Sequence, residues 1–252
     1  MELNNRRIII NADDCGISKQ VNQEIESCIT SGKITSTTIM ANMEDFDGAV
    51  RLYHQYNDVV SFGWHINLTE GQPLTCSQLL LDRGFFKENE GKIYFNGYAF
   101  RNKLVGKDMR NEIHKELLAQ YTRLRDSGIM PTHADSHQHI HTTLSMLFIV
   151  PSLLKVLGIA KCRRLRNYVP SSYSRLLRNC WGAWMKMHGM KMTDTFCAFH
   201  EYYDTPLITQ GMLVELMCHP GHQGDEYREE YELLKKADFD KLKAKLISYK
   251  EL

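Results

Sequence analysis

The densest chemistry in this chain lies in Thr132-His133-Ala134-Asp135-Ser136-His137-Gln138-His139-Ile140-His141. Neutral imidazole and carboxylate are ligands for divalent ions, so histidines crowded beside an aspartate point to a cation site. In an extended chain, alternation puts His133, Asp135, His137 and His139 on one face. An exposed polar turn or an adventitious metal-binding tract is the plain alternative. A second cluster is Asn11-Ala12-Asp13-Asp14-Cys15-Gly16. Adjacent carboxylates repel unless a cation or a proton separates them. Within a strand they point to opposite faces, but at a strand end before a glycine the chain can bend and aim both inward; a turn with two solvated aspartates is the alternative. A third cluster, Gly63-Trp64-His65-Ile66-Asn67-Leu68-Thr69, sets His65 among apolar neighbours, where it reads either as a ligand or as a core histidine bonded to backbone. A fourth, Glu215 to His222, places His219 just before the Pro220-Gly221 turn. The helical His-Glu-x-x-His motif of zinc proteases is absent, because Asp204 stands where the second histidine would follow His200-Glu201.

Short β-branched runs alternate with amphipathic segments along the chain. Strands are expected at Arg7 to Ala12, Ile34 to Ala41, Val59 to Leu68, Pro131 to His137, Cys162 to Asn167, Thr193 to His200 and Met212 to Cys218. Ser18 is placed to cap a helix that stops at Gly32, and Met109, Ile113, Leu117, Tyr121 and Leu124 form one stripe of a longer helix ending at Gly128. The tail from Glu229 to Tyr249 also reads as helical. Strands alternating with helices imply an α/β fold with a parallel sheet, doubly wound or closed into a barrel, and such folds bind ligands at the C-terminal ends of their strands. All four polar clusters fall at those ends. Residues 71–105 interrupt the rhythm and read as a lid, a binding loop or a plain surface insertion.

At 252 residues the chain can bury a full core without disulfide staples. Its net charge of +1 lacks the basic excess of a nucleic-acid binder. No apolar run is long enough for a signal-peptide core or a membrane span. Seven scattered cysteines without metal or redox spacing read as reduced, mostly structural thiols, hence a cytoplasmic protein. Trp181, Trp184, Met185, Met187, Met190 and Met192 read as core packing ahead of a membrane-surface helix or partner groove.

Taken in order, Asn11-Ala12-Asp13-Asp14-x-Gly16, Gly63-x-His65-x-x-Leu68-Thr69, His133-x-Asp135-Ser136-His137-x-His139-x-His141 and His219-Pro220-Gly221 resemble the motifs of the YdjC/ChbG-like carbohydrate deacetylases. The Thr35-Ser36-Thr37-Thr38 stretch fits as well, so the resemblance runs over nearly the whole chain. It implies a distorted (β/α) barrel, which with the seven expected parallel strands and no linker-like stretch gives a single catalytic domain over 1–252 with an inserted loop region at 71–105. It implies metal-dependent removal of N-acetyl groups from small N-acetylated sugars such as chitooligosaccharides or diacetylchitobiose. Carried over residue by residue, Asp14, His65 and His137 match the metal ligands and Asp13 the general base. Cys15 replaces an aromatic and Trp64 an aliphatic residue, departures that bear on substrate preference.

Elementary chemistry supports that division of labour. Amide hydrolysis needs a nucleophilic water, a polarised carbonyl and a proton for the leaving amine. Mg²⁺ is the metal the resemblance implies, and Zn²⁺ is the rival that donor softness favours. His219 is expected to protonate the amine or stabilise the tetrahedral intermediate, with His222 or His133 as alternatives for the proton. Arg166, at a strand end, is the candidate for an anionic group of the substrate; Lys161, Arg163 and Arg164 read as a solvated edge that discourages strand pairing. His133, His139 and His141 are expected behind the ligands or facing substrate. The expected partner is a small sugar, with neither nucleic acid nor membrane, and self-association into a homo-oligomer is left open. Two rival functions use the same centre: hydrolysis of a phosphoester or another amide, and metal-dependent sugar binding or regulation without turnover. A binding-only site needs no base beside its ligand, which weighs against the second.

Overall fold

The computed structural model describes residues 6–167, 172–203 and 212–252. Its strands are β1 (Arg7–Cys15), β2 (Ser36–Ile39), β3 (Ser61–Ile66), β4 (Phe86–Asn89), β5 (Lys92–Phe95), β6 (Ala134–Ser136), β7 (Thr195–Ala198), β8 (Leu213–Cys218) and β9 (Lys245–Leu246). The order β6-β3-β2-β1-β8-β7 makes one curled sheet in which every pairing is parallel, with β9 added beside the start of β1. Central strands of parallel sheets are covered on both faces and so read as unbroken apolar runs. Ile8, Ile9 and Ile10 at the heart of β1 fit that rule, all without exposed surface.

Six of the seven expected strands are present as such. The seventh, Cys162 to Asn167, is reduced to single bridges, Ala134 with Cys162 and Lys161 with Lys191. Backbone bonds still carry the sheet across it: Arg163 N–H donates to Ala134 O (2.9 Å) on one side and Cys162 N–H to Lys191 O (3.0 Å) on the other. Side chains, not a regular ladder, fix this segment. Arg163 turns inward onto buried carboxylates, and Arg164 bonds Asn179 Oδ1 at 2.7 Å. The segment is therefore no solvated edge.

Helices α1 (Lys19–Thr30), α2 (Phe46–Tyr56), α3 (Gln78–Asp82), α4 (Gly97–Asn102), α5 (Lys107–Asp126), α6 (Val150–Val156), α7 (Ser172–Met187), α8 (Phe199–Tyr203) and α9 (Asp225–Lys236) fill the connections. Ser18 Oγ accepts the Val21 N–H at the start of α1, and the expected stripe of α5 is buried except for half-buried Tyr121, which packs on Trp64. Trp181 and Met185 of α7 join the core. No described helix is long and apolar enough to cross a membrane. Residues 71–105 are folded rather than loose: α3, the antiparallel β4–β5 hairpin and α4 close over packed rings of Phe85, Phe86, Phe95 and Phe100.

The tail departs from the expected helix. After α9 ends at Lys236, Lys243 takes a left-handed backbone (φ 46°) and Lys245–Leu246 pair with Arg7 and Ile8. Tyr249 then enters the barrel from the N-terminal end of the strands, where its N–H donates to Ser61 Oγ. The tail thus closes the bottom, and the polar clusters open at the top.

Candidate active site

The site begins where β1 bends. Asp14 has φ 66°, an uncommon conformation for a side-chain-bearing residue, and the β1–β2 register shifts between Ala12 and Cys15. Gly16 follows with φ 98°, and a Cβ there would stand 3.1 Å from Met40 O. This bulge rotates two consecutive carboxylates to the same side, so that Asp13 and Asp14 are both buried at the barrel mouth.

Asp14 gathers imidazoles. Its Oδ1 lies 3.0 Å from His65 Nε2 and 2.7 Å from His137 Nδ1. His65 arrives from the end of β3 and His137 from just beyond β6, strands that pair in parallel. The far nitrogen of each ring rests on another carboxylate: His65 Nδ1 on Asp135 Oδ1 at 2.6 Å, His137 Nε2 on Glu70 Oε2 at 2.8 Å. A carboxylate behind each imidazole is how proteins orient metal-ligating histidines, so Asp14, His65 and His137 fit a divalent cation. Asp13, His65 and Asp135 also converge, but Arg163 already neutralises both aspartates there. Protons hold the first cluster together. Burial opposes ionisation of the rings, yet Asp135 and Asp14 push His65 up to about 10, and Asp14 and Glu70 push His137 up to about 9. His137, His222 and His65 hold the Asp14 carboxyl well below its ordinary range against the opposing effect of burial.

Asp13 sits beside this cluster on a different partner. Arg163 Nη1 and Nη2 donate to its two oxygens, each at 2.6 Å, and Asn11 Nδ2 donates to Oδ1 at 2.9 Å. Burial would raise its pKa, but the guanidinium overcomes that and keeps Asp13 ionised. Arg163 is fully buried, bonds Glu215 through Nε (2.7 Å) and Asp135 through Nη1 (2.8 Å), and stacks on Phe196. Tyr249 Oη donates to Glu215 Oε2 from below at 2.6 Å. A column of bonded side chains thus runs from the tail to Asp13.

Opposite Asp13, at the end of β8, stands His219. Its Nε2 is 3.9 Å from Asp13 Oδ2, while Nδ1 faces Glu230 Oε2 at 3.2 Å and the same oxygen accepts the His219 N–H. Burial alone would make this imidazole less basic, but Glu230 and the two aspartates raise its pKa overall. The other Glu230 oxygen lies 3.1 Å from His200 Nδ1. The Asp14 cluster, the ionised Asp13 carboxylate and the more basic His219 imidazole border one cavity of about 540 Å³.

A family model for YdjC-like proteins matches residues 7–245. The chain belongs to the YdjC-like family. It is 31% identical over 228 residues to a carbohydrate deacetylase of Clostridium beijerinckii, covering 86% of this chain and 82% of that one. It is also 31% identical over 226 residues to a chitooligosaccharide deacetylase of Escherichia fergusonii, covering 89% and 85%. The fold is similar to that of a crystal structure from Enterococcus faecalis V583 named for cellobiose-phosphate cleavage, with a TM-score of 0.73, 20% identity and 98% coverage of both chains.

In this YdjC-like chain Arg166 and His139 line the cavity, Arg166 paired to Glu201. His139 has a left-handed backbone (φ 55°) and an Nδ1 without a hydrogen-bond partner among the described residues, and burial with the Arg163 charge pushes its pKa down to about 3. His133 does not reach the cavity. It is fully buried near the barrel floor, stacked on Tyr249 at 3.6 Å with Nε2 against Ser36 Oγ, so it can neither touch substrate nor pass a proton to it. His141 is equally interior, bonded to Ser136 and the Arg163 carbonyl. Motif reading gives no role to Glu70, Glu230 or Tyr249, names Glu215 only as the start of the fourth cluster, and reads Arg163 as part of a solvated edge. Glu70 carries a signal as the neighbour of Thr69 in the third cluster, and Glu215 as a member of the fourth.

Proposed function

We propose that this YdjC-like chain is a divalent-metal-dependent hydrolase that removes N-acetyl groups from small N-acetylated sugars, chitooligosaccharides or diacetylchitobiose among them. We place it in the cytoplasm, where its seven free cysteines would stay reduced, and take 1–252 as one catalytic unit. The observation that carries this reading is the meeting of three devices at one cavity: Asp14 with His65 and His137, Asp13 on Arg163, and His219 on Glu230. The naming of relatives as carbohydrate deacetylases supports it.

When bound by Asp14, His65 and His137, a divalent cation supplies Lewis acidity that makes water nucleophilic and polarises the amide carbonyl. Mg²⁺ is the ion the family resemblance implies, and the two imidazole donors favour Zn²⁺ as its rival. Asp13, ionised and fixed by Arg163, accepts the proton of the attacking water at Oδ2. His219 carries a proton on Nε2, facing Asp13 across the cavity, and delivers it to the departing amine nitrogen. Glu230 keeps the His219 ring oriented and raises its basicity. The Tyr227 ring on the cavity wall offers a face for the apolar side of a sugar, and Arg166 and neutral His139 offer hydrogen bonds to its hydroxyls.

The test is mass spectrometry of N-acetyl-oligosaccharides incubated with metal-reconstituted protein, alongside a phosphoester panel. Acetate release with a free amine on the sugar is expected. Phosphate release alone would move the chemistry to another bond, and sugar binding without either product would make the chain a binding protein.

A further inference from the structure

A third imidazole touches Asp14. His222 Nε2 lies 3.0 Å from Asp14 Oδ2, whereas His65 and His137 both approach Oδ1. The two carboxylate oxygens are thereby divided between partners. The sequence places His222 immediately after the turn of His219-Pro220-Gly221, and the structure leaves that turn little freedom. Gly221 has φ 79° and packs so closely on α1 that a Cβ would stand 3.0 Å from Val21 Cα. The His222 ring is held between those of His219 (5.8 Å, edge-on) and Tyr227 (5.4 Å, tilted). Its Nε2 is shut off from solvent and has no aligned hydrogen bond among the described residues, so its 3.0 Å approach to Oδ2 is a close polar contact made away from competing water.

Carboxylates bind divalent ions through one oxygen or through both. We infer that His222 is a positioning residue for the Asp14 ligand: by engaging Oδ2 it leaves Oδ1 as the one oxygen that Asp14 offers the cation. This rests on the metal-site reading above. One-oxygen ligation keeps a further coordination position free for water and substrate carbonyl, which hydrolysis requires and mere metal storage does not.

The experiment is metal affinity, by calorimetric titration of Zn²⁺ or Co²⁺ into chelator-stripped protein, for wild type, His65→Ala, His222→Ala and His222→Gln. Circular dichroism confirms that each variant is folded. His222→Ala should bind metal roughly 10–100-fold more weakly, the usual loss when a group behind a ligand is removed. His222→Gln, which sets an amide N–H near the place of Nε2, should stay within about threefold of wild type, with an unchanged visible spectrum when loaded with Co²⁺. Unchanged affinity in His222→Ala overturns the inference, and so does a Gln variant as weak as Ala, which would make His222 a direct ligand. If His65→Ala also binds normally, the metal-site reading itself fails; if only His65→Ala loses metal, the site stands and the role of His222 does not.

Discussion

Replacing Arg163 by Met tests the electrostatic core of the site. Met preserves most of the length and leaves apolar surface against Phe196, but removes the charge that Asp13, Asp135 and Glu215 share. Stripping one partner from a buried ion pair costs about 3–5 kcal/mol, because the other partner stays buried and uncompensated. For a chain of this size each kcal/mol shifts melting by roughly 2–4 °C, so Arg163→Met should melt about 6–20 °C lower. Arg163→Lys keeps the charge but not the fork and should fall between. The pH dependence separates this mechanism from a generic packing defect. In the wild type Asp13 has a depressed pKa, so its stabilising contribution is present above the ordinary carboxylate range and is lost only in acid. Without the guanidinium, burial acts on Asp13 opposed only by the charges of His65 and His219, and this adds to the upward push already felt by Glu215. A raised folded pKa favours the folded state below the unfolded value and loses that effect as pH rises through the folded one. The variant should therefore recover part of its deficit relative to wild type between about pH 8 and about pH 5. Calorimetry or far-UV dichroism across that window reads the outcome. Melting within about 2 °C of wild type, or two pH curves that run parallel, would refute the reasoning.

Asp13→Asn should keep its metal and lose turnover by roughly 10²–10⁴-fold, the usual worth of a positioned base; if it loses metal while an Asp14 variant keeps it, the two aspartates have exchanged roles. His219→Ala should bind metal and sugar normally, turn over slowly and recover with added imidazole. A kcat within about threefold of wild type, ~0.65 kcal/mol in the barrier, would make this histidine structural. In the metal-free protein, His65 at about 10 and His137 at about 9 exceed their common unfolded value near 6.5. Their protons stabilise the fold fully below that value, and the effect is lost as pH rises through 9 and 10. Scanning calorimetry in chelator should therefore show melting fall as pH rises through that interval, and a saturating divalent cation should remove the trend by displacing the protons. A flat metal-free profile would contradict the proton-held cluster.

Local signals carried much of the fold. Apolar runs marked six strands, and Ser18 and the α5 stripe marked two helices, because those patterns depend on neighbours within a turn or a pleat. Arg163 was not legible in that way. Its acceptors on Glu215 and Asp13 lie 52 and 150 residues away, so four basic residues in Lys161 to Arg166 look alike until the sheet brings the acids to one of them. The tail failed for the same reason: Leu246 and Tyr249 fit a helix stripe, but their partners are β1 and Glu215. The histidine cluster shows what periodicity can and cannot decide. Alternation correctly set His133 and Asp135 on the interior face, yet it says nothing about depth along the barrel axis. At about 3.3 Å per residue, position 133 lies roughly 13 Å back along the strand from position 137, the difference between barrel floor and barrel mouth. At the floor an imidazole meets Tyr249 and Ser36 and becomes core; at the mouth the same side chain meets Asp14. Beyond His137 the alternation itself ends, because Gln138 and His139 both turn left-handed (φ 50° and 55°), and that bend turns a strand end into a cavity wall. Depth, set by where each strand stops, is what separates a ligand from a packed histidine in this fold.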